Sequence, residues 1–145
     1  MCGGGVGVSR FWVFALRRFL GRATDGYQRT DDGWNLPDTG DPDGSQVDRI
    51  YSPEALHTML SCCDHIVVTV PLTASTRHLI GAAEFASMKA GAIFVNVARG
   101  NVVDEVALIA ALQSSHLGSA LLDVFATEPL EAISPLWHLP NVIIS

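Results

Sequence analysis

The sequence predicts an α/β domain built on a parallel sheet, and three observations carry that reading. Residues 65–70, 93–97 and 118–124 are short, mostly apolar runs, the pattern of strands buried in a sheet covered by helices. Each run ends in polar residues, and the stretches between them are long enough for a helix. Such alternation gives parallel βαβ units. The bulk composition agrees: 48% of the residues are apolar and only 17% charged, and 145 residues suffice for one domain with a real core.

The same numbers exclude several classes. A formal net charge of −6 argues against nucleic acid or an anionic membrane surface as partner. No apolar stretch approaches the ~18 residues of a membrane span, and the N-terminus shows no signal-peptide pattern. Three cysteines, two of them adjacent at Cys62 and Cys63, make a poor disulfide framework, so reduced thiols and a cytoplasmic location are expected. Cys2, Cys62, Cys63, His57 and His65 form no paired-ligand spacing, so no metal site is expected.

Along the chain, residues 1–7 are glycine-rich, and residues 9–20 are long and apolar enough for a helix stopped by Gly21. A glycine turn opening a helix can hold phosphate on its free N–H groups. Here the G-x-G-x-x-G pattern is incomplete. The register that places Gly4 and Gly7 at its second and third glycines has Cys2 at the first, and only Met1 precedes it where a strand should lie. A plain glycine-rich end is the alternative. Residues 22–30 could form a second strand. Its tip, residues 26–30, carries no acid for the ribose of NAD but does carry Arg29, which suits the 2′-phosphate of NADP or is simply a surface arginine.

Residues 31–48 are acidic and rich in glycine and proline, a solvated loop. Ser52, Pro53 and Glu54 open a helix to about Ser61. The run 65–70 stops at Pro71, and the hydroxyls of Thr73, Ser75 and Thr76 follow it. Locally they read as caps of the next helix, around residues 82–88. The run 93–97 leads to Asn96 and Arg99. Asp104 then caps a helix over residues 105–114, with Val106, Leu108, Ile109 and Leu112 as its core residues. Residues 118–124 form a strand with Asp123 and Glu128 at or beyond its end, and residues 141–145 begin another. No internal repeat is present.

Right-handed crossovers bring the carboxyl ends of these strands to one edge. Thr73, Thr76, Asn96, Arg99, Asp123 and Glu128 are therefore expected around one cleft, where ligands of open α/β sheets bind. A guanidinium there offers a rigid fork of donors to a carboxylate. Taken alone, Arg99 could as well cap a loop or pair with a structural acid, and the convergence favours the functional reading.

At this point specific stretches come together. Residues 65–76, residues 91–104 (Gly-Ala-Ile-Phe-Val-Asn-Val-Ala-Arg-Gly-Asn-Val-Val-Asp) and residues 122–130 (Leu-Asp-Val-Phe-Ala-Thr-Glu-Pro-Leu) resemble the nucleotide-binding domain of the D-isomer-specific 2-hydroxyacid dehydrogenases. Residues 134–145 continue the likeness, which is greatest to the glyoxylate/hydroxypyruvate reductase branch. The resemblance is strong over residues 47–145, fair over 21–30 and poor before that. It implies a Rossmann-like parallel sheet with helices on both faces, lacking the first strand and the separate substrate domain. Residues 1–145 would then be a partial dinucleotide-binding domain.

The resemblance also implies roles. Arg99 matches the arginine that grips the substrate carboxylate and 2-oxo group. Glu128 matches the acid that hydrogen-bonds the catalytic histidine and raises its pKa. Asp123 matches the residue holding the nicotinamide carboxamide. Val70, Pro71 and Thr76, with Asn96, Val97 and Ala98, match cofactor-lining segments, and Gly4 and Gly7 would face the pyrophosphate. The implied cofactor is NADP or NAD, with NADP favoured by Arg29. The implied partners are a small 2-oxo or 2-hydroxy acid and a second copy of the chain in a homodimer. The family histidine follows the last strand in a Ser-Pro-His sequence, whereas these residues end at Ser145, and His138 precedes that strand. Without that histidine, proton transfer loses a factor of about 10²–10⁴. The 145-residue chain is therefore expected to be inactive or nearly so. The alternatives are a non-catalytic nucleotide-binding or dimerising fragment, or a fragment or mis-started reading frame with no stable product.

Overall fold

The computed structural model describes residues 51–145 with their side chains, and the backbone of Phe11–Phe14. Five parallel strands run in chain order across one sheet: β1 (Phe11–Phe14), β2 (His65–Val68), β3 (Ala92–Asn96), β4 (Leu117–Leu122) and β5 (Val142–Ile144). The helices are α1 (Leu56–Leu60), α2 (Ala82–Ser87) and α3 (Glu105–Gln113).

Each helix starts where its sequence dictates. Pro53–Ala55 forms a 3-10 turn leading into α1, as the Ser-Pro-Glu start predicts. Ser52 hydrogen-bonds the Glu54 carboxylate, and with the Glu54 backbone amide this holds the carboxyl below the usual glutamate range. At α2, Glu84 reaches back so that its Oε2 accepts the Gly81 N–H at 2.9 Å, satisfying one of the donors a helix start leaves open. Its Oε1 lies 3.2 Å from His57 Nε2, tying α1 to α2. Asp104 caps α3 as expected, Oδ1 accepting from the N–H groups of Val106 and Ala107.

Because the strand order is sequential, right-handed crossovers carry the described helices to one face of the sheet, and α1, α2 and α3 pack side by side there. Leu60, Phe85, Leu108 and Leu112 of the helices meet Ile66, Val68, Phe94, Ala120 and Leu122 of the strands in one core. Phe85 and Phe94 meet edge to face, their centroids 5.3 Å apart.

The burial of β3 departs from the expected strand covered on both faces. Ala92, Phe94 and Asn96 are buried, while Ile93 and Val95 are only half-buried, so no second helical layer lies among the described residues. Ile143 of β5 is 61% exposed on its strand. Val106 is a second correction: read as a core residue, it is 78% exposed. It lies about 200° round the helix from Leu108, so the face carrying Leu108 and Leu112 turns it to solvent.

The N-terminal reading also changes. The helix expected over residues 9–20 is contradicted at Phe11–Phe14, which is a strand paired in parallel with β2, Phe11 opposite His65 and Phe14 opposite Val68. The edge of β2 expected to lack a neighbour therefore has one. Aromatic and β-branched residues suit a strand, and the edge of β2 offers unpaired donors and acceptors to it. The glycine turn with Gly4 and Gly7, the strand over residues 22–30 with Arg29, and the loop at 31–48 lie outside the described residues. Cys63 is a buried thiol donating to Met59 O, whereas Cys62 is disulfide-bonded, which corrects the expectation of reduced thiols at that residue. No described helix is long and apolar enough to cross a membrane.

Candidate functional site

The sheet's carboxyl edge gathers the predicted residues. Register sets Val68 beside Asn96, Asn96 beside Leu122, and Leu122 beside Ile144, so β2 to β5 end level. Hydrogen bonds continue the ladder past the strands: Val97 N–H donates to Val68 O, Asp123 N–H to Asn96 O, and Ser145 N–H to Leu122 O. Residues 69–71, 97–99 and 123 therefore leave the sheet side by side.

Asn96 shapes the turn between β3 and Arg99. Its side chain is 2% exposed, and Oδ1 accepts the Ala98 N–H at 3.1 Å while Nδ2 donates to Arg99 O at 3.3 Å. A buried amide is tolerated only when its groups are paired, and here the pairing folds the chain back on itself. Ala98 is buried, Val97 is 47% exposed, and Arg99 is exposed. Arg99 Nη1 donates to Ala98 O at 2.7 Å, and no carboxylate among the described residues pairs with it. That disfavours the structural-ion-pair alternative and leaves most of the guanidinium fork open to a ligand.

Two further predicted groups behave differently. Thr76 is buried, and its Oγ1 donates to Pro71 O at 2.7 Å and accepts from Thr73 N–H at 2.8 Å. Its hydroxyl closes the loop after β2. The expectation that Thr73 and Thr76 cap the next helix is overturned, because α2 starts later, at Ala82, and its start is satisfied by Glu84. Val70 is buried and Pro71 exposed, so the loop presents Pro71 at the edge while Val70 anchors it.

Asp123 is exposed, with no partner for its carboxylate among the described residues. Glu128 is exposed as well, and its Oε1 accepts the Phe125 N–H at 3.0 Å. The loop carrying Glu128 lies against the turn carrying Arg99. Gly100 is buried there, and a Cβ on it would sit 1.8 Å from the carbonyl C and O of Phe125. Only glycine permits that approach.

Sequence reasoning did not identify Asn101 or Glu105 as part of this arrangement. Asn101 Nδ2 donates to Ala126 O at 3.2 Å, and Glu105 Oε2 accepts the Ala126 N–H at 3.0 Å. Their partner is 25 and 21 residues away, beyond any local pattern. His138 lies exposed in the 3-10 turn Pro135–His138. Among the described residues no cluster of His, Cys, Asp and Glu could hold a metal ion.

Exposed Pro71 and Val97 supply apolar surface at this edge, and Asp123 supplies an acceptor for an amide N–H. An apolar backing and an acceptor for the amide N–H are what these residues offer an aromatic carboxamide, and in those two respects they fit a nicotinamide.

Known proteins resemble this chain in sequence and in fold. The glyoxylate/hydroxypyruvate reductase B of Citrobacter koseri is 57% identical over 88 residues, covering 61% of this chain and 27% of the relative. The chain thus matches about a quarter of that protein's length. A D-isomer specific 2-hydroxyacid dehydrogenase of Xanthobacter autotrophicus Py2, solved with NADPH and MES, superposes with a TM-score of 0.65 at 50% identity, covering 66% of this chain and 40% of that one. The NADPH-dependent glyoxylate/hydroxypyruvate reductase of Sinorhizobium meliloti, solved in apo form, gives a TM-score of 0.64 at 33% identity, covering 69% and 43%. The family model described as D-isomer specific 2-hydroxyacid dehydrogenase, NAD binding domain, matches residues 38–145. The chain belongs to that family.

Proposed function

We propose that the carboxyl edge of the sheet binds a reduced nicotinamide cofactor and a small 2-oxo acid of the glyoxylate or hydroxypyruvate type. The observation that carries this is an exposed Arg99 with no carboxylate partner among the described residues, held by the buried Asn96 beside an exposed Asp123. NADP is favoured over NAD, on Arg29 in the sequence, on the NADPH bound in the Xanthobacter neighbour and on the NADPH dependence named for the Sinorhizobium one. Asp123 would accept from the carboxamide N–H, Val97 and Pro71 would back the ring, and Val70, Thr76 and Ala98 would hold the lining loops in place.

The bound cofactor supplies a hydride, and the protein supplies position and charge. Arg99 donates to the substrate carboxylate and 2-oxo oxygen, drawing electron density from the carbonyl carbon and stabilising the oxygen as it gains charge. Glu128 spends Oε1 on Phe125 N–H and keeps Oε2 for an imidazole N–H, which would stabilise the protonated imidazole.

Oxamate binding in the presence of NADPH, followed by calorimetry, tests the reading. Saturable binding by the wild type that Arg99→Leu weakens about tenfold or more is expected. Equal binding by both proteins removes Arg99 from the role.

A further inference from the structure

The backbone of Ala126, between Phe125 and Glu128, is held through its N–H and its carbonyl by residues that carry no assigned chemistry. The Ala126 N–H donates to Glu105 Oε2 at 3.0 Å, and the Ala126 carbonyl accepts from Asn101 Nδ2 at 3.2 Å. Asn101 belongs to the 3-10 turn Gly100–Val102 that directly follows Arg99, and Glu105 opens α3. Both are half-buried. Their backbone is fixed in turn: Asn101 O accepts the His78 N–H at 2.9 Å, Val102 O accepts the Ile80 N–H, and Ile80 O accepts the Asp104 N–H. Gly100 closes the gap, its buried backbone in contact with Phe125 and Ala126. Arg99 and Glu128 therefore sit on two loops joined by two hydrogen bonds to the Ala126 backbone and one glycine contact.

We propose that Glu105 and Asn101 are positioning residues, which clamp the Ala126 backbone and so fix the Glu128 carboxylate relative to the Arg99 guanidinium. The proposal rests on the roles given above to Arg99 and Glu128. Glu105 acts through its carboxylate oxygen as an acceptor, beyond the favourable charge it places on the first turn of α3. Glutamine keeps the acceptor and loses the charge, and alanine loses both.

Amide hydrogen exchange on the ¹⁵N-labelled 145-residue chain separates these effects. Glu105→Ala is expected to speed exchange at Phe125 and Ala126 about tenfold or more, while the amides of Leu108 and Leu112 exchange as in the wild type. Glu105→Gln is expected to restore protection, and Asn101→Ala to loosen the same two amides. Ala126 exchange unchanged in Glu105→Ala would overturn the proposal. So would a parallel loss at Leu108 and Leu112, which would assign Glu105 to the helix alone, or a Glu105→Gln protein as loose as Glu105→Ala. Should Glu105→Ala fail to fold, Asn101→Ala decides on the same two amides. A separate oxamate titration tests the underlying reading. Wild-type shifts at the Arg99 side chain and at residues 125–128 are expected, and in Asn101→Ala those at residues 125–128 alone should disappear. No response to oxamate in any variant would refute the Arg99 role, while the exchange data would still decide the clamp.

Discussion

Replacing Gly100 with alanine places a methyl group 1.8 Å from the backbone C and O of Phe125 and 2.4 Å from Ala126 N. Carbon contacts settle near ~3.5–4.0 Å, so one loop must move by roughly 1.5–2 Å, and no flexible side chain is there to give way. A shift of that size breaks both bonds to the Ala126 backbone, now 3.0 and 3.2 Å long. The bond to the Glu105 carboxylate is worth about 1.5–3 kcal/mol and the neutral one about 0.5–1.5 kcal/mol. Stiffening of the unfolded chain by alanine returns about 0.4–1 kcal/mol. The expected cost is therefore about 1–4 kcal/mol, a large share of the roughly 5–15 kcal/mol that holds a domain together. Urea unfolding followed by tryptophan fluorescence and far-ultraviolet circular dichroism measures it. The two losses should also be coupled, so that Glu105→Ala costs less in the Gly100→Ala protein than in the wild type. A cost below about 0.5 kcal/mol, or full additivity of the two substitutions, would refute the reasoning.

Three other outcomes follow from the packing. Asn96→Ala leaves the Ala98 N–H without its side-chain acceptor in a buried turn and should cost about 1–3 kcal/mol, measured by the same urea titration, with weaker oxamate binding because Arg99 loses its support. Leu108→Ala should cost about 2–5 kcal/mol through the cavity it leaves, while Val106→Ser on the solvent side of the same helix stays within about 0.5 kcal/mol; equal costs would mean that α3 is rotated from the orientation described. The Glu54 carboxyl, held down first by the Ser52 hydroxyl, should titrate below the ordinary glutamate value by carbon NMR and return toward it in Ser52→Ala. Its folded-state value is depressed, so its stabilising effect is present above the unfolded value and fades as pH falls through the folded one.

Much of this fold is legible in the sequence because its strands are short apolar runs closed by turn residues. Residues 65–70, 93–97 and 118–124 hold β2 and most of β3 and β4, and Asp104 declares the start of α3 by residue type alone. The runs also show where the strands end, which is why the sheet edge bearing Asn96, Arg99 and Asp123 could be anticipated. Local pattern fails where a distant partner decides. Phe11–Phe14 suits a helix or a strand equally by its apolar content, and pairing with β2 decides it. Thr73 and Thr76 can cap a helix or close a loop, and the Pro71 carbonyl within reach of Thr76 decides it. Glu105 reads as an ordinary first-turn acid until the Ala126 N–H is brought to it from 21 residues away. Gly100 bounds its strand in the sequence, but the reason only glycine fits appears when the Phe125 backbone lies against it.

The central claim is that the carboxyl edge of this sheet is a nicotinamide cofactor site. Calorimetric titration of the purified 145-residue chain with NADPH and with NADH, alongside circular dichroism, tests it most directly. The expected result is a folded chain that binds NADPH saturably, more tightly than NADH, and about tenfold or more weakly in Asp123→Ala. A folded chain that binds neither cofactor would contradict the claim.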